Sequence, residues 1–105
     1  MLAVYRDTVY IGEMIRSFGD GATEALFRDK VVRPLRAIAP AAKRKLEALN
    51  AGSRLNDLLV PPSNRLEKLK GNLKNFYSIR VNNQYRVIFK WKDRDAWDVQ
   101  IVDYH

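Results

Sequence analysis

Residues 75–104, NFYSIRVNNQYRVIFKWKDRDAWDVQIVDY, contain the pattern that decides the fold. Three stretches rich in β-branched and aromatic residues are separated by short polar segments, which is typical of an antiparallel meander. We predict strands over residues 75–81, 85–92 and 96–104. In each of them large apolar residues recur at every second position, so these side chains share one face of the sheet.

The lengths of the two loops determine the register of the three strands. A three-residue turn after Val81 pairs this residue with Tyr85, whereas a two-residue turn would direct the apolar residues of one strand outward. The same alternation pairs Trp91 with Trp97 across a five-residue loop. The other pairs that follow on the core face are Ile79 with Val87, Tyr77 with Phe89, and Phe89 with Val99.

The residues before the meander predict helices. Residues 19–27, GDGATEALF, indicate a short helix that is capped by Asp20 or Gly21, with Glu24 reaching back to the cap. A second helix is expected because apolar residues recur at spacings of three and four. Proline is common in a first turn, so we expect the helix to begin at Pro40. Gly52 is expected to end it in the left-handed conformation. This apolar stripe consists of Leu35, Ile38, Ala42, Leu46 and Leu49.

Shorter strands are predicted outside the meander. They cover residues 4–11 (VYRDTVYI), 15–18 (IRSF) and 65–71 (RLEKLKG), and the last of them stops at Gly71. Helices come first and the meander follows, which predicts an α+β fold: a small antiparallel sheet with two to three helices packed on one face.

The composition indicates a single basic domain. The chain has 105 residues, of which 47% are hydrophobic, and its net charge is +7, which favours contact with phosphate groups. No run approaches the ~20 apolar residues that span a bilayer, and we expect neither a signal peptide nor a membrane partner. There is no cysteine and only one histidine, so we predict no disulfide, no metal site and no cofactor, and a cytoplasmic location.

The second face of the sheet carries the candidate functional residues. The predicted register sets Arg80 directly opposite Arg86, and like charges in that position normally weaken a sheet. Tyr104 is the diagonal neighbour of Arg86, and Lys70 can add a third positive charge. Two interpretations remain open: the arginines are unpaired and splay apart in solvent, or they form an anion site. The other residues expected on this face are Phe76, Lys90 and Asp98, the last two as a surface ion pair.

Several short motifs, taken in order, resemble those of one family. They are L-K-G at 69–71, Y-S-I-R-V at 77–81, Y-R-V-I-F at 85–89 and D-Y-H at 103–105. From Met14 to His105 the chain resembles toxins of the RelE superfamily, in particular the HigB (plasmid maintenance killer, GraT-like) branch. The resemblance implies a toxin of a type II toxin–antitoxin system that enters the ribosomal A site and cuts mRNA there.

The resemblance also implies partners and site residues. The partners are a HigA-type helix-turn-helix antitoxin, the ribosome with its mRNA, and operator DNA only for the toxin–antitoxin complex. Two departures from the family pattern are Glu67, where some members have histidine, and residues 1–13, which we expect to be a peripheral extension of a toxin domain over 14–105. The residues that match functional positions of the family are Lys70, Arg80, Arg86, Asp103, Tyr104 and His105.

Metal-free RNA cleavage needs a base for the 2′-OH, positive groups around the phosphorane and an acid for the leaving oxygen. The arginines suit the second role. His105 suits the first or third, since histidine ordinarily titrates near neutrality. Tyr104 would orient a group, act as a weak acid or stack on a base, and Asp103 would support it. Glu67 is either a base or the ion-pair partner of a neighbouring lysine, Lys68 or Lys70.

Four further residues are candidates for RNA contact: Lys68, Phe76, Lys43 and Arg44. For the last two, which lie on the second predicted helix, the alternative is an ordinary solvated helix face. The alternative function for the whole chain is a non-catalytic module that binds RNA or the ribosome, derived from a toxin that has lost activity.

Overall fold

A computed structural model describes residues 14–52 and 54–104, and the structural statements below concern these residues. The predicted strand over 4–11, the extension over 1–13 and the candidate catalytic residue His105 lie outside the described residues.

The second half of the described chain forms the predicted antiparallel sheet. Its four strands follow one another in sequence order, so the sheet is a meander. Together with the helices that precede it, the sheet confirms the predicted α+β fold. The strands are β1 (Glu67–Lys68), β2 (Tyr77–Arg80), β3 (Tyr85–Lys92) and β4 (Asp95–Asp103).

The first half contains two α-helices, α1 (Gly21–Phe27) and α2 (Ala39–Ala51), and a 3₁₀ helix over Arg33–Ile38 that leads directly into α2. Asp20 caps α1 as predicted: its carboxylate accepts a hydrogen bond from the Thr23 N–H at 2.7 Å. Further 3₁₀ turns cover Leu55–Leu59, Pro62–Asn64 and Gly71–Leu73.

Two predicted details of the helix ends are wrong. The carboxylate of Glu24 does not reach back to the cap but pairs with Arg28, one turn later, at 3.3 Å. Gly52 follows α2 but is not left-handed, with φ −70° and ψ 136°. Its N–H still donates to the carbonyl of Ala48, so the helix ends with an ordinary turn and the chain leaves in an extended conformation.

The core lies between the helices and one face of the sheet. Leu46 and Leu49 of α2 are fully buried, and so are Val87 and Phe89 of β3. Each large side chain buried in this way contributes about 2 kcal/mol to folding. Apart from Leu35, which is half-buried, the predicted apolar stripe is buried. The whole buried cluster consists of Leu26, Ile38, Ala42, Leu46, Leu49, Leu58, Ile79, Val87, Phe89, Ala96, Val99 and Ile101.

The register of β2 and β3 agrees with the prediction. Ile79 lies opposite Val87, and the N–H of Val81 donates to the carbonyl of Tyr85 across the turn at 3.0 Å. Alternation of side chains therefore sorts this hairpin into a core row and an outer row. The outer row includes Arg80 and Arg86, which are paired directly opposite one another.

The second hairpin differs from the prediction. The chain turns on only two residues, Asp93 and Arg94, both left-handed, with φ 54° and 67°. This turn pairs Trp91 with Ala96, and a bulge at Asp98, which has φ 53°, then restores the alternation. As a result Trp97 lies opposite Lys90 on the outer face and not in the core. The buried position expected for this indole is taken by the neighbouring alanine.

The free edge of β4 is covered by the segment that precedes α1. Ile15 and Phe18 form isolated parallel bridges with Ala96 and Val99, where a continuous strand over 15–18 was predicted. The coverage removes an exposed strand edge, which is a common site of aggregation. No helix in the described ranges is both long and apolar enough to cross a membrane.

Candidate functional site

Arg86 lies near one end of the outer face of the sheet, where it pairs with Arg80 and Val102. Its side chain is only 12% exposed, and its Nη1 atom donates to the Ser78 hydroxyl at 2.8 Å. The same nitrogen lies 3.3 Å from a carboxylate oxygen of Glu67 and 3.5 Å from the carbonyl oxygen of Arg65. These contacts come from two separate parts of the chain, the segment over residues 65–67 and β2, and hold the guanidinium in one orientation.

Tyr104 covers the same guanidinium from the end of β4. The ring centroid lies 5.0 Å from the Cζ atom of Arg86, within the range of a cation–π contact. The position follows from the register, because Val102 pairs with Arg86 and the tyrosine lies two residues further on. The N–H of Tyr104 also donates to the carbonyl of Gln84 at 2.6 Å, which fixes the backbone at this point.

The contacts of Arg86 use only one of its three nitrogens. A guanidinium carries five N–H groups, and all the hydrogen bonds that Arg86 makes within residues 14–52 and 54–104 involve Nη1. The N–H groups of Nε and Nη2 make no hydrogen bond with the described residues. A rigid guanidinium that keeps N–H groups without partners is chemically suited to bind a phosphate oxygen.

Arg80 points away from Arg86 although the two residues are paired across the strands. Its Nε donates to the carbonyl of Asn82 at 3.2 Å, and its Nη2 donates to the side-chain oxygen of Asn83. The two arginines splay apart as predicted, but the expectation that they are unpaired is wrong. The like charges are accommodated because one guanidinium turns to the loop and the other to β1 and β2.

Glu67 contacts Arg86 and not a lysine. Glu67 lies in β1, opposite Ser78 of β2, so its side chain is on the outer face beside the guanidinium. The expected pairing with Lys68 or Lys70 is not what the structure shows. At 46% exposure the carboxylate remains accessible to solvent, and it neutralises part of the positive charge at the site.

The two lysines of the L-K-G region lie at the edge of this site. Lys70 is exposed and precedes the left-handed Gly71, and its side chain makes no hydrogen bond or ion pair with the described residues. Lys68 is also exposed, and its ammonium lies 6.0 Å from the ring centroid of Tyr77. The two lysines and Lys74 line one shallow depression. The structure thus leaves a cluster of positive charge beside β1.

Asp103 and Phe76 flank the site without contacting Arg86. Asp103 pairs with Tyr85, so it belongs to the row opposite to that of Arg86, and its carboxylate accepts a hydrogen bond from Gln84 at 3.0 Å. The ring of Phe76 lies 5.3 Å from the ammonium of Lys90. The expected ion pair between Lys90 and Asp98 is present at 3.2 Å.

Lys43 and Arg44 are distant from these residues in the fold. They belong to α2, which covers the core face of the sheet, whereas Arg86 lies on the outer face. The ammonium of Lys43 already pairs with Asp29 at 3.1 Å and contacts the ring and carbonyl of Phe27. These contacts favour a structural role for this lysine over contact with RNA.

Two residues of the outer face were not singled out from the sequence. Ser78 is fully buried, and its hydroxyl accepts the shortest hydrogen bond of Arg86. The predicted alternation already placed it in the same row, so its position was available as a signal. Trp97 was assigned to the core because the two-residue turn at Asp93 and Arg94 leaves no clear trace in the sequence.

Comparisons with known proteins agree with this fold and these motifs. Residues 16–105 match the profile of the HigB-like toxin family, described as "RelE-like toxin of type II toxin-antitoxin system HigB". Two solved structures of the YoeB-YefM complex from Staphylococcus aureus, one of them described as a heterotetrameric toxin-antitoxin complex, superpose with a TM-score of 0.54. They have 21% identity and cover 87% of this chain and 97% of the matched chain. At that identity the likeness concerns the fold alone.

Two curated proteins match at the level of sequence. A segment of 57 residues is 56% identical to Toxin HigB-1 of Vibrio cholerae serotype O1, and covers 54% of this chain and 60% of that protein. A segment of 53 residues is 46% identical to an uncharacterized protein of Haemophilus influenzae, and covers 50% and 52% respectively. The chain thus spans between half and three fifths of the length of these relatives. Since the family profile extends over nearly the whole described fold, the chain belongs to the HigB-like toxins, the RelE-like toxins of type II toxin–antitoxin systems.

Proposed function

We propose that the chain is a ribosome-dependent endoribonuclease that cuts mRNA in the ribosomal A site and thereby inhibits translation. The observation that carries this proposal is the guanidinium of Arg86, which is held by Ser78 and Glu67, is covered by Tyr104 and keeps two nitrogens without hydrogen bonds to the described residues. A fixed donor of this kind stabilises charge that develops in a transition state.

The proposed reaction is attack of the 2′-OH on the adjacent phosphorus, with departure of the 5′-oxygen and without a metal ion. Arg86 binds the non-bridging oxygens of the phosphorane, and each such donor contributes about 3 kcal/mol. Lys70 adds positive charge beside β1, and Arg80, which is bonded to Asn82 and Asn83 of the loop, would have to turn back to contact the phosphate. One of the C-terminal residues, His105 or Tyr104, takes the proton of the 2′-OH and the other protonates the departing 5′-oxygen, and Asp103 supports this end of β4.

We assign to Glu67 the positioning of Arg86. Its carboxylate is engaged with that guanidinium at 3.3 Å, in the position where some relatives carry histidine. Because the carboxylate is directed at the guanidinium, we leave proton abstraction to the C-terminal residues. We assign to the ring of Tyr104, which lies over the guanidinium, stacking on a base of the RNA.

The proposed dependence on the ribosome is consistent with the exposure of Glu67 and Lys70, the candidate residues that border Arg86. The candidate residues lie on the outer face of a sheet, and the mRNA would have to be positioned by another molecule before in-line attack is possible. Orientation of reacting groups alone contributes a large share of a catalytic rate. We therefore expect slow cleavage of free RNA and rapid cleavage of mRNA on the ribosome.

The proposed physiological partner is a HigA-type antitoxin with a helix-turn-helix domain, which would neutralise the toxin in the cytoplasm. The complex, and not the toxin alone, would bind operator DNA. Support comes from the family, which consists of toxins of type II toxin–antitoxin systems, and from the related fold in the YoeB-YefM complex of Staphylococcus aureus.

The proposal is tested by inducing the chain in growing bacteria and mapping new 5′ ends of translated mRNA by primer extension. The parent should arrest growth and produce new 5′ ends, whereas Arg86→Ala and a chain without His105 should do neither at equal expression. Arg28→Ala is the matched control, because it also removes an arginine paired with glutamate at 3.3 Å, on α1. Parental toxicity in both site variants would contradict the assignment of the site.

A second candidate function is a non-catalytic module that binds RNA or the ribosome. One observation favours it: Glu67 neutralises part of the charge on Arg86, which weakens an anion site. Such a module would arrest growth without producing new 5′ ends, so the same primer-extension experiment distinguishes the two functions.

A further inference from the structure

A second concave surface lies at the other end of the same sheet, beyond the site around Arg86. It is a cleft of about 570 Å³, within the size range of ligand pockets in proteins. Its lining includes three lysines and three aromatic residues and contains no carboxylate. The residues that matter here are Lys68, Lys90, Lys92, Tyr77, Trp91 and Trp97.

The cleft exists because neighbouring strands have unequal lengths. The pairing of β2 with β3 begins at Tyr77 and Phe89, whereas β3 continues to Lys92. The last residues of β3 therefore have no partner on the β2 side among the described residues, and a notch remains there. Tyr77 and Trp91 form its apolar walls.

The two-residue turn between β3 and β4 adds the second indole to this notch. Because the chain turns on Asp93 and Arg94, Trp97 lies opposite Lys90 on the outer face, and the bulge at the left-handed Asp98 then returns Val99 to the core. Its Nε1 donates to the carbonyl of Lys92 at 3.2 Å, so the ring is held in one orientation. Bulges are over-represented beside functional sites, where they redirect side chains.

The charges of the cleft complement a phosphate group. Lys90 is paired with Asp98, but the ammonium of Lys92 makes no hydrogen bond or ion pair with the described residues. Fixed aromatic rings beside free ammonium groups are the usual means of binding single-stranded nucleic acid, in which bases stack on rings and phosphates meet cations.

We propose that this cleft binds one unpaired nucleotide of the mRNA, a few positions away from the nucleotide that is cut, with the base stacked on Trp97 and a phosphate at Lys92. This inference rests on the proposed function. Lys90 and Arg86 lie on the same face, four residues apart in β3, which corresponds to about 13 Å along the strand. A continuous single strand therefore reaches from the cleavage site to the cleft.

The cleft contains its own spectroscopic probe. The chain has two tryptophans, and both line this surface, so intrinsic tryptophan fluorescence reports on its occupation. The titrant is a short, unstructured oligonucleotide with 2′-O-methyl riboses, which cannot be cut by 2′-OH attack. Quenching of the parent by this oligonucleotide is expected, and it requires neither cleavage nor the ribosome.

The variants separate stacking from charge. Trp97→Ala should bind the oligonucleotide about 5- to 150-fold more weakly, with Trp91 as the remaining probe, and Trp97→Phe, which keeps a ring, should stay within about threefold of the parent. Lys92→Gln should lower the slope of log affinity against log salt by about 0.7. Lys30→Gln, an exposed lysine on the α1 side, is the matched control and should change neither quantity.

Four results would overturn the inference. The first is no quenching of the parent at saturating oligonucleotide, and the second is parental affinity of Trp97→Ala for the oligonucleotide. The third is quenching by an acidic peptide but not by the oligonucleotide, and the fourth is quenching by empty ribosomes but not by the oligonucleotide, which would assign the cleft to ribosomal RNA. Failure of the proposed function gives a different result: the parent protein does not cut mRNA on ribosomes, but the oligonucleotide still quenches its tryptophan fluorescence.

Discussion

Replacement of Glu67 by glutamine separates the two roles that this residue can have. Glutamine has the same shape and keeps an oxygen that can accept a hydrogen bond from Arg86, but it carries no charge and cannot act as a general base. If Glu67 only positions the guanidinium, the Glu67→Gln variant should retain cleavage of mRNA on ribosomes within about threefold. Loss of a general base would lower the rate by about 10²- to 10⁴-fold.

The contacts of Glu67 also limit the loss of stability that we expect for the Glu67→Gln variant. The distance between the charged groups is 3.3 Å, but Glu67 is 46% exposed, and ion pairs of this kind contribute about 0.2–1 kcal/mol. For a domain of this size, we therefore expect Tm to fall by less than about 8 °C. Glu24→Gln on α1 is the matched control, since it loses an ion pair with Arg28 of the same length.

The assay is single-turnover cleavage of one defined mRNA on purified ribosomes, with enzyme in excess. Glu67→Ala, which removes the acceptor altogether, should cleave about tenfold more slowly than Glu67→Gln because the guanidinium loses one of its supports. A loss of 100-fold or more in Glu67→Gln, with parental stability, would refute the positioning role and make Glu67 the base.

Other predictions concern the fold. Thr23→Val should lower the free energy of unfolding by about 1–3 kcal/mol. The reason is that the buried N–H of Ile101 donates to the hydroxyl of Thr23 at 2.9 Å and would lose its acceptor. An unchanged free energy of unfolding in denaturant would contradict this prediction. Leu46→Ala, at a fully buried position, should cost about 2–5 kcal/mol in the same measurement. Arg94→Gly should raise Tm by several degrees, since φ is 67° and glycine relieves about 1 kcal/mol of strain; a fall in Tm would count against the left-handed turn.

The first hairpin could be predicted from the sequence because alternation leaves only one register that buries its apolar side chains. Ile79, Val87 and Phe89 are aligned only by a three-residue turn, and that register fixes the position of Arg80 opposite Arg86. The position of Tyr104 as diagonal neighbour of Arg86 was predictable from the pairing of β3 with β4, in which Arg86 lies opposite Val102, and the structure shows a cation–π contact there.

The second hairpin could not be predicted in this way, because two local backbone choices compensate each other. A two-residue turn at Asp93 and Arg94 shifts the alternation by one, and the bulge at Asp98 shifts it back. Neither carries the glycine or asparagine–glycine signal that normally marks left-handed positions. Nor could the partner of Arg86 be predicted, since β1 has only two residues and Glu67 has no alternation to place it.

Mapping of cleavage on a reconstituted system tests the central claim, that Arg86 is the phosphate-binding group of a ribosome-dependent nuclease. Purified ribosomes carrying one mRNA with a defined A-site codon are incubated with parent, Arg86→Ala or Arg28→Ala, and 5′ ends are mapped with and without ribosomes. We predict new ends within the A-site codon for the parent and Arg28→Ala, at least 100-fold slower cleavage for Arg86→Ala, and little cleavage of free mRNA. Parental cleavage by a folded Arg86→Ala variant, or equal cleavage without ribosomes, would contradict the claim.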